Sequence, residues 1–142
     1  LAWMRGRGEI VTPVPDPPRA PCSVLVVVPP FGLSTPAVYR AWDEMGGPRS
    51  TRSVRPPLGM GSLLTEAVND LEPAAERLAP DLVEVRERVT RVTRAPVLLA
   101  GSGSACWATS DDPEAVASWA GKLAGVAGLR AYAGELVTGL AA

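Results

Sequence analysis

One stretch of this chain decides its fold: Val97-Leu98-Leu99-Ala100-Gly101-Ser102-Gly103-Ser104-Ala105-Cys106-Trp107. An apolar segment of the kind that forms a buried strand runs into a loop of glycine and serine, and a second apolar segment follows at once. Glycine permits positive φ and lets another chain or a ligand come close to the backbone. Such a loop can hold an anion on its N–H groups, and it can equally be a plain turn between two strands. The sequence predicts the two strands and leaves both interpretations of the loop open.

Composition excludes several classes of function. The 142 residues include 14 basic and 15 acidic side chains, for a formal net charge of −1, so no broad positive field favours nucleic acid or a membrane surface. Histidine is absent, which excludes Ser-His-Asp and Cys-His catalysis and removes the commonest metal ligand. Cys22 and Cys106 lie far apart and form no CxxC pair, so we expect no metal site and two reduced, buried thiols. No apolar run reaches the ~20 residues of a membrane span, and we predict a cytoplasmic protein.

The chain is predicted to be a fragment of a longer protein. It begins at Leu1 without an initiator Met and runs directly into an apparent strand, Glu9-Ile10-Val11. Residues 12–22 then carry five prolines, which favour an extended connector and forbid a helix. We therefore expect residues 1–22 to be the tail of an N-terminal domain and a proline-rich linker, and residues 23–142 to form a single further domain.

The first half of that domain is predicted to contain a strand, a helix and a long loop. Val24-Leu25-Val26-Val27-Val28 is a continuous apolar run of the kind found in strands covered on both faces. Ser34-Thr35-Pro36 supplies a hydroxyl N-cap and a proline for the first turn of a helix, which ends at Gly46-Gly47. Residues 46–61 are rich in Gly, Pro, Ser and Arg and predict a basic loop, whose role in solvent or against a phosphate stays open.

The second half is predicted to alternate helices with strands. Residues 62–79 look helical with a break at Asn69-Asp70, and a clearer helix begins at Pro80. Asp111-Asp112-Pro113-Glu114 starts another helix, and a last strand covers residues 129–137. Two crossovers through helices and one tight connection between strands favour an α+β fold. We predict a two-layer sandwich of ferredoxin-like character, in which a mixed sheet of about four strands carries its helices on one face.

Four short motifs stand out along the chain: Gly6-Arg7-Gly8-Glu9, Pro29-Pro30-Phe31-Gly32-Leu33-Ser34-Thr35, Asn69-Asp70-Leu71-Glu72-Pro73 and Gly101-Ser102-Gly103-Ser104-Ala105-Cys106. In their order and approximate spacing they resemble one family, the 4-diphosphocytidyl-2-C-methyl-D-erythritol kinases of the GHMP kinase superfamily. The chain resembles the C-terminal half of these kinases, and the resemblance spans nearly the whole chain. These enzymes use ATP to phosphorylate a hydroxyl of the diphosphocytidyl-methylerythritol intermediate in the non-mevalonate route to isoprenoid precursors.

The resemblance implies a division of labour between two domains. Gly101, Ser102, Gly103 and Ser104 would form the superfamily's third motif, a loop folded toward the phosphate-transfer centre and in reach of ATP and its Mg²⁺. Thr35 and Tyr39 match positions that line the substrate pocket, although Thr35 is equally well explained as a helix N-cap and Tyr39 as a packing residue. The Asn69-Asp70 segment is interpreted as structural.

The catalytic half of such a kinase has no counterpart here. Nothing in the chain matches the family's glycine-rich nucleotide loop or its Asp/Lys pair, and the single lysine, Lys122, lies in a predicted helix away from any phosphate motif. We therefore assign no catalytic residue and expect the fragment alone to be inactive and to require the missing N-terminal kinase domain. Two alternatives stay open: another GHMP kinase, for homoserine or a mevalonate-type substrate, and a noncatalytic α+β module that binds a small molecule. The oligomeric state is not predicted.

Overall fold

A computed structural model describes residues 2–5, 10–13, 22–47 and 67–136. The predicted proline-rich linker and basic loop fall largely outside these ranges, as does the beginning of the helical region predicted from residue 62. Within the described ranges the chain forms six strands and four helices. In chain order they are β1 (Ala2–Arg5), β2 (Ile10–Pro13), β3 (Cys22–Val28), α1 (Thr35–Glu44), α2 (Glu72–Leu78), α3 (Asp81–Thr93), β4 (Leu98–Leu99), β5 (Cys106–Ser110), α4 (Pro113–Ala124) and β6 (Arg130–Leu136).

The main sheet has four strands in the order β4-β5-β3-β6, and β1 and β2 form a separate antiparallel pair. The α+β class, the sheet of four strands and the ferredoxin-like character are confirmed. The prediction of a mixed sheet is corrected, because every pair of neighbouring strands in it is antiparallel. Each helical crossover joins two parallel strands, but these two strands are not neighbours in the sheet. An antiparallel strand then occupies the gap: β5 lies between β3 and β4, and β3 lies between β5 and β6.

The core lies between the sheet and its helices, because every second residue of each strand points toward the face that the helices cover. Leu25 and Val27 of β3 are fully buried there and pair with Ala108 and Cys106 of β5. Helices α3 and α4 cover this surface through Val89 and Leu123, which are also fully buried. A second apolar cluster joins α1, α2 and α3 beside Leu99 at the end of β4; its buried members are Val38, Ala41, Ala74, Ala75, Leu82 and Leu99.

The helix boundaries follow from local chemistry. Helix α1 begins directly after Ser34, which has extended backbone at the N-cap but makes no side-chain capping bond, and it carries the predicted proline in its first turn. Helix α4 is capped as predicted, since the Asp112 carboxylate accepts a hydrogen bond from the Glu114 N–H. The region predicted to be helical up to residue 79 is shorter than expected: residues 67–71 are not helical, and α2 begins at Glu72.

Both cysteines are free and fully buried in the main sheet. Burial raises the pKa of the Cys106 thiol to about 11, against a smaller lowering by Arg86. Burial likewise raises the pKa of Cys22. The thiols are therefore protonated at neutral pH and pack as small apolar groups. Among the helices in the described ranges, none combines the length and the apolar character that a membrane crossing requires.

Candidate functional site

The glycine loop, residues 101–104, closes the tight connection between β4 and β5. Its base is fixed by two backbone hydrogen bonds: the Ala100 N–H donates to the Ala105 carbonyl at 2.8 Å, and the Gly103 N–H donates to the Ala100 carbonyl at 3.0 Å. Gly101 and Gly103 both have positive φ, of 57° and 84°, a region that favours glycine. A Cβ added to Gly101 would meet no atom within 4 Å, so the outward side of the loop is open.

The first turn of α1 meets the glycine loop through two hydroxyl groups. Thr35 Oγ1 and Ser102 Oγ lie 2.8 Å apart and share a hydrogen bond in which either can be the donor, although 67 residues separate them in the sequence. Thr35 is the first residue of α1 and Ser34 occupies the N-cap, so the interpretation of Thr35 as the cap is wrong. The hydroxyl of Thr35 is instead directed to the loop, and the pair remains exposed to solvent.

The two remaining loop residues face inward. Ser104 is 7% exposed, and its hydroxyl donates a hydrogen bond to the Phe31 carbonyl. A Cβ on Gly103 would lie 3.1 Å from Leu99 Cδ1 and 3.2 Å from Leu33 Cδ1, so the absence of a side chain lets the loop pack against these leucines. The geometry thus separates the four predicted binding residues: Gly101 and Ser102 present the accessible side, while Gly103 and Ser104 hold the loop in place. Ligand contact by any of them stays a prediction.

Tyr39 lies one turn after Thr35 on α1, on the same side of the helix, and is 51% exposed. It is therefore accessible beside the hydroxyl pair. The backbone of the loop also borders an open cleft of about 660 Å³ at the end of the main sheet, and among the described residues that line it Arg130 carries the only charge. The cleft is lined by Val28, Pro29, Pro30, Phe31, Gly32, Leu33, Gly103, Ser104, Ala105, Gly128, Leu129 and Arg130.

Two side chains support the loop from behind: Asn69, which lies in the segment predicted to be structural, and Arg86, for which no role was predicted. Asn69 Nδ2 donates to the carbonyls of Leu99 and Gly101, at 2.9 and 2.7 Å. Arg86 of α3 donates to the Val97 carbonyl at 3.1 Å and forms ion pairs with Glu72, at 2.8 Å, and with Glu76 of α2. Burial raises the pKa of Glu72, although the positive charge of Arg86 acts in the opposite direction. The motif that contains Asn69 indicates a structural role, but nothing in the sequence indicates its distant partners or the partners of Arg86.

This arrangement suits the binding of an anion. In the Thr35–Ser102 pair one hydroxyl donates to the other, so the accepting hydroxyl can donate its own O–H to a bound group, and the open side of Gly101 leaves room for that group to reach the backbone. Neither hydroxyl is paired with a general base in the contacts just described. No group of three or more His, Cys, Asp or Glu side chains within the described ranges could hold a metal ion.

Fold and loop together define the class of this domain: a ferredoxin-like α+β sandwich that presents an accessible glycine-serine loop beside the N-terminal turn of a helix. Sequence comparison then identifies its relatives. The chain is 38% identical over 109 residues to the 4-diphosphocytidyl-2-C-methyl-D-erythritol kinase of Nocardioides sp., an alignment that covers 71% of this chain and 36% of that kinase. It is 34% identical over 106 residues to the kinase of the same name from Geobacillus kaustophilus, with 72% and 36% covered. No protein-family model matches the chain.

Comparison with solved structures gives the same family. The crystal structure of a 4-(cytidine 5'-diphospho)-2C-methyl-D-erythritol kinase matches 97% of this chain with a TM-score of 0.72 and 32% identity, and the match covers 50% of that chain. The chain is therefore homologous to part of the 4-diphosphocytidyl-2-C-methyl-D-erythritol kinases, and the resemblance seen in its motifs is confirmed. It spans little more than a third of the length of the curated relatives it matches.

Proposed function

We propose that residues 23–142 are the C-terminal, substrate-side domain of an ATP-dependent kinase that phosphorylates a hydroxyl of 4-diphosphocytidyl-2-C-methyl-D-erythritol in the non-mevalonate route to isoprenoid precursors. Residues 1–22 then belong to the tail of the N-terminal domain and its linker, apart from Cys22, which already lies in β3. The proposal is supported by the likeness to kinases of that name in sequence and in fold. A cytoplasmic location accords with the two free, buried thiols.

The observation that carries the proposal is the hydrogen bond between Thr35 and Ser102. It joins the predicted substrate-pocket residue to the predicted phosphate loop, although each was assigned from a different motif. In this role Thr35 and Tyr39 form a wall of the substrate pocket, and Gly101 and Ser102 face the phosphate groups. ATP would supply the transferred phosphoryl group and Mg²⁺ would neutralise part of its charge, with most of their ligands coming from the N-terminal domain. The hydroxyl pair of this chain would orient the substrate and donate a hydrogen bond to a phosphate oxygen.

The division of labour is tested with two proteins. The first is this chain alone, which we expect to transfer no phosphate from ATP to diphosphocytidyl-methylerythritol. The second is a fusion of this chain to the part of the Nocardioides kinase that it does not match, which we expect to form a new phosphomonoester visible by ³¹P NMR. Transfer by the chain alone would contradict the proposed division. A folded fusion that binds ATP but accepts only homoserine or mevalonate would favour a different GHMP kinase, and one that phosphorylates none of these substrates would favour a noncatalytic module.

The role of the hydroxyl pair is tested in the same fusion with Thr35→Val. We expect kcat/KM for the diphosphocytidyl substrate to fall about tenfold, because one hydrogen-bond donor at the pocket wall is lost and the size of the side chain is kept. Ser34→Ala is the matched control, since this neighbouring hydroxyl makes no capping bond, and it should leave kcat/KM unchanged. Equal effects of the two substitutions would remove Thr35 from the proposed pocket.

A further inference from the structure

Asn69 uses every polar atom of its side chain to join two segments of the chain. Its Nδ2 donates one hydrogen bond to the Leu99 carbonyl at 2.9 Å and another to the Gly101 carbonyl at 2.7 Å. Its Oδ1 accepts a hydrogen bond from the Leu71 N–H at 3.0 Å, just before α2. An amide nitrogen has two hydrogens, so both are used, and no other uncharged side chain offers two donors and an acceptor in this geometry.

The two carbonyls that Asn69 binds belong to the end of β4 and the start of the glycine loop. They lie two residues apart and converge on one nitrogen, which requires the backbone to bend between them. Gly101 supplies that bend through its φ of 57°. Two converging carbonyl oxygens repel each other unless a donor lies between them, so the amide of Asn69 stabilises the bend directly. The direction in which the next residue, Ser102, leaves the strand depends on this bend.

The segment that carries Asn69 is itself anchored to the residue that precedes β4. Three residues further on, Glu72 pairs with Arg86 at 2.8 Å, and Arg86 donates to the Val97 carbonyl at 3.1 Å. The other end of the loop is held by the hydrogen bond from Ser104 to Phe31. The loop is thus fixed at its first residue by Asn69 and at its last residue by its own serine, and only Gly101 and Ser102 face outward.

We propose that Asn69 is a positioning residue for phosphoryl transfer: it holds the glycine loop in the conformation in which Ser102 meets Thr35, without contacting the ligand itself. This inference rests on the proposed function for its effect on catalysis. Its structural part, the control of the loop by one side-chain amide, can be tested independently on the chain alone.

The first test measures amide hydrogen exchange in the chain with Asn69→Asp. This substitution preserves the size of the side chain and the acceptor for Leu71, but it replaces both donors by oxygen. We expect the protection factor of the Gly103 N–H to fall about tenfold at pH 7, since the loop loses two hydrogen bonds, while strands β3 and β5 keep their protection. Protection should recover in part as the pH is lowered and the introduced carboxyl takes up a proton, because it can then donate to one carbonyl.

Thr93→Val is the control for a general loss of stability. The Thr93 hydroxyl accepts a hydrogen bond from the Ala95 N–H at 3.2 Å, in the turn at the opposite end of β4, and it is buried like the groups around the loop. The control should weaken its own turn and leave Gly103 unchanged. Unchanged protection of the loop in Asn69→Asp, or an equal loss of protection throughout the chain, would overturn the proposal.

The second test uses the active fusion described above. Asn69→Asp should lower kcat about tenfold or more and leave the KM for ATP within about twofold, because a misplaced loop weakens contacts made in the transition state more than it weakens binding. The Thr93→Val fusion should keep the parent kcat. An unchanged kcat in Asn69→Asp would overturn the positioning role. If the parent fusion transfers no phosphate, the proposed function fails, and hydrogen exchange alone then decides whether Asn69 controls the loop.

Discussion

Gly103→Ala is expected to lower the free energy of unfolding by about 2 kcal/mol, the sum of backbone strain and overpacking. Gly103 has a φ of 84°, which an L-residue adopts only at a cost. Its new methyl group would also lie between 3.1 and 3.3 Å from the side chains of Leu99 and Leu33, so these leucines must move. Because Leu99 ends β4 and belongs to the buried cluster beside α1, the shift should extend into the contact between Ser102 and Thr35.

Two other glycines of the same site provide matched controls for urea unfolding. Gly101→Ala introduces the same methyl group at a φ of 57° but into open space, so only strain remains and the loss should be about 1 kcal/mol. Gly32→Ala has neither positive φ nor a neighbour within 4 Å, and its effect should stay below about 0.5 kcal/mol. If Gly103→Ala proved as stable as Gly32→Ala, the close packing of the loop on its leucines would be refuted.

Arg86→Met is expected to cost about 2 kcal/mol of stability at pH 7. Methionine replaces the arginine with an unbranched apolar side chain, so packing is largely kept. The carboxylates of Glu72 and Glu76 then lie near each other without the cation that paired with both. The Val97 carbonyl also loses its donor. We expect a smaller loss of stability than for a fully buried ion pair, because the three side chains are between 20% and 28% exposed and solvent screens part of the repulsion.

The pH dependence of this loss separates charge from packing. Burial already raises the pKa of Glu72, and removal of Arg86 takes away the influence that lowers it, so the pKa should rise further. A carboxyl whose pKa is raised in the folded state favours folding at low pH and disfavours it as the pH rises through that pKa. The difference in unfolding free energy between the parent and Arg86→Met should therefore shrink between pH 7 and pH 4.

The control for this measurement is Arg88→Met, an exposed arginine on the same helix, which should change stability by less than about 0.5 kcal/mol. A variant that combines Arg86→Met with Glu72→Gln and Glu76→Gln should recover part of the loss at pH 7, since no charge is then left unpaired. A loss that is the same at pH 4 and pH 7 and is not recovered by the glutamines would mean that Arg86 acts through packing rather than through charge.

Sequence motifs predicted some residues of the candidate site correctly and others only in part. The resemblance singled out Thr35 and Ser102 separately, and the structure places their hydroxyls 2.8 Å apart. The same reasoning grouped Ser104 with Ser102 as a binding residue, but Ser104 uses its hydroxyl to hold the Phe31 carbonyl. Asn69 was interpreted as a structural residue that bonds neighbouring backbone groups at the break between two helices. Its bonds to Leu99 and Gly101 cross 30 and 32 residues, a distance at which sequence spacing carries no geometric information.

The sequence by itself determined most of the strands and helices of residues 23–142, because that choice depends on local periodicity, capping residues and turn residues. The helix predicted to begin at Pro80 is present as α3, with Leu82 and Val89 buried on its inner face, and the carboxylate cap of α4 lies where the sequence predicts it. Only the tertiary structure decided that all neighbouring strands of the main sheet are antiparallel, which residues Arg86 pairs with, and which loop hydroxyls face outward. These outcomes depend on contacts between residues that are far apart in the chain. Such contacts form only when the helices pack on the sheet, so no local sequence pattern predicts them.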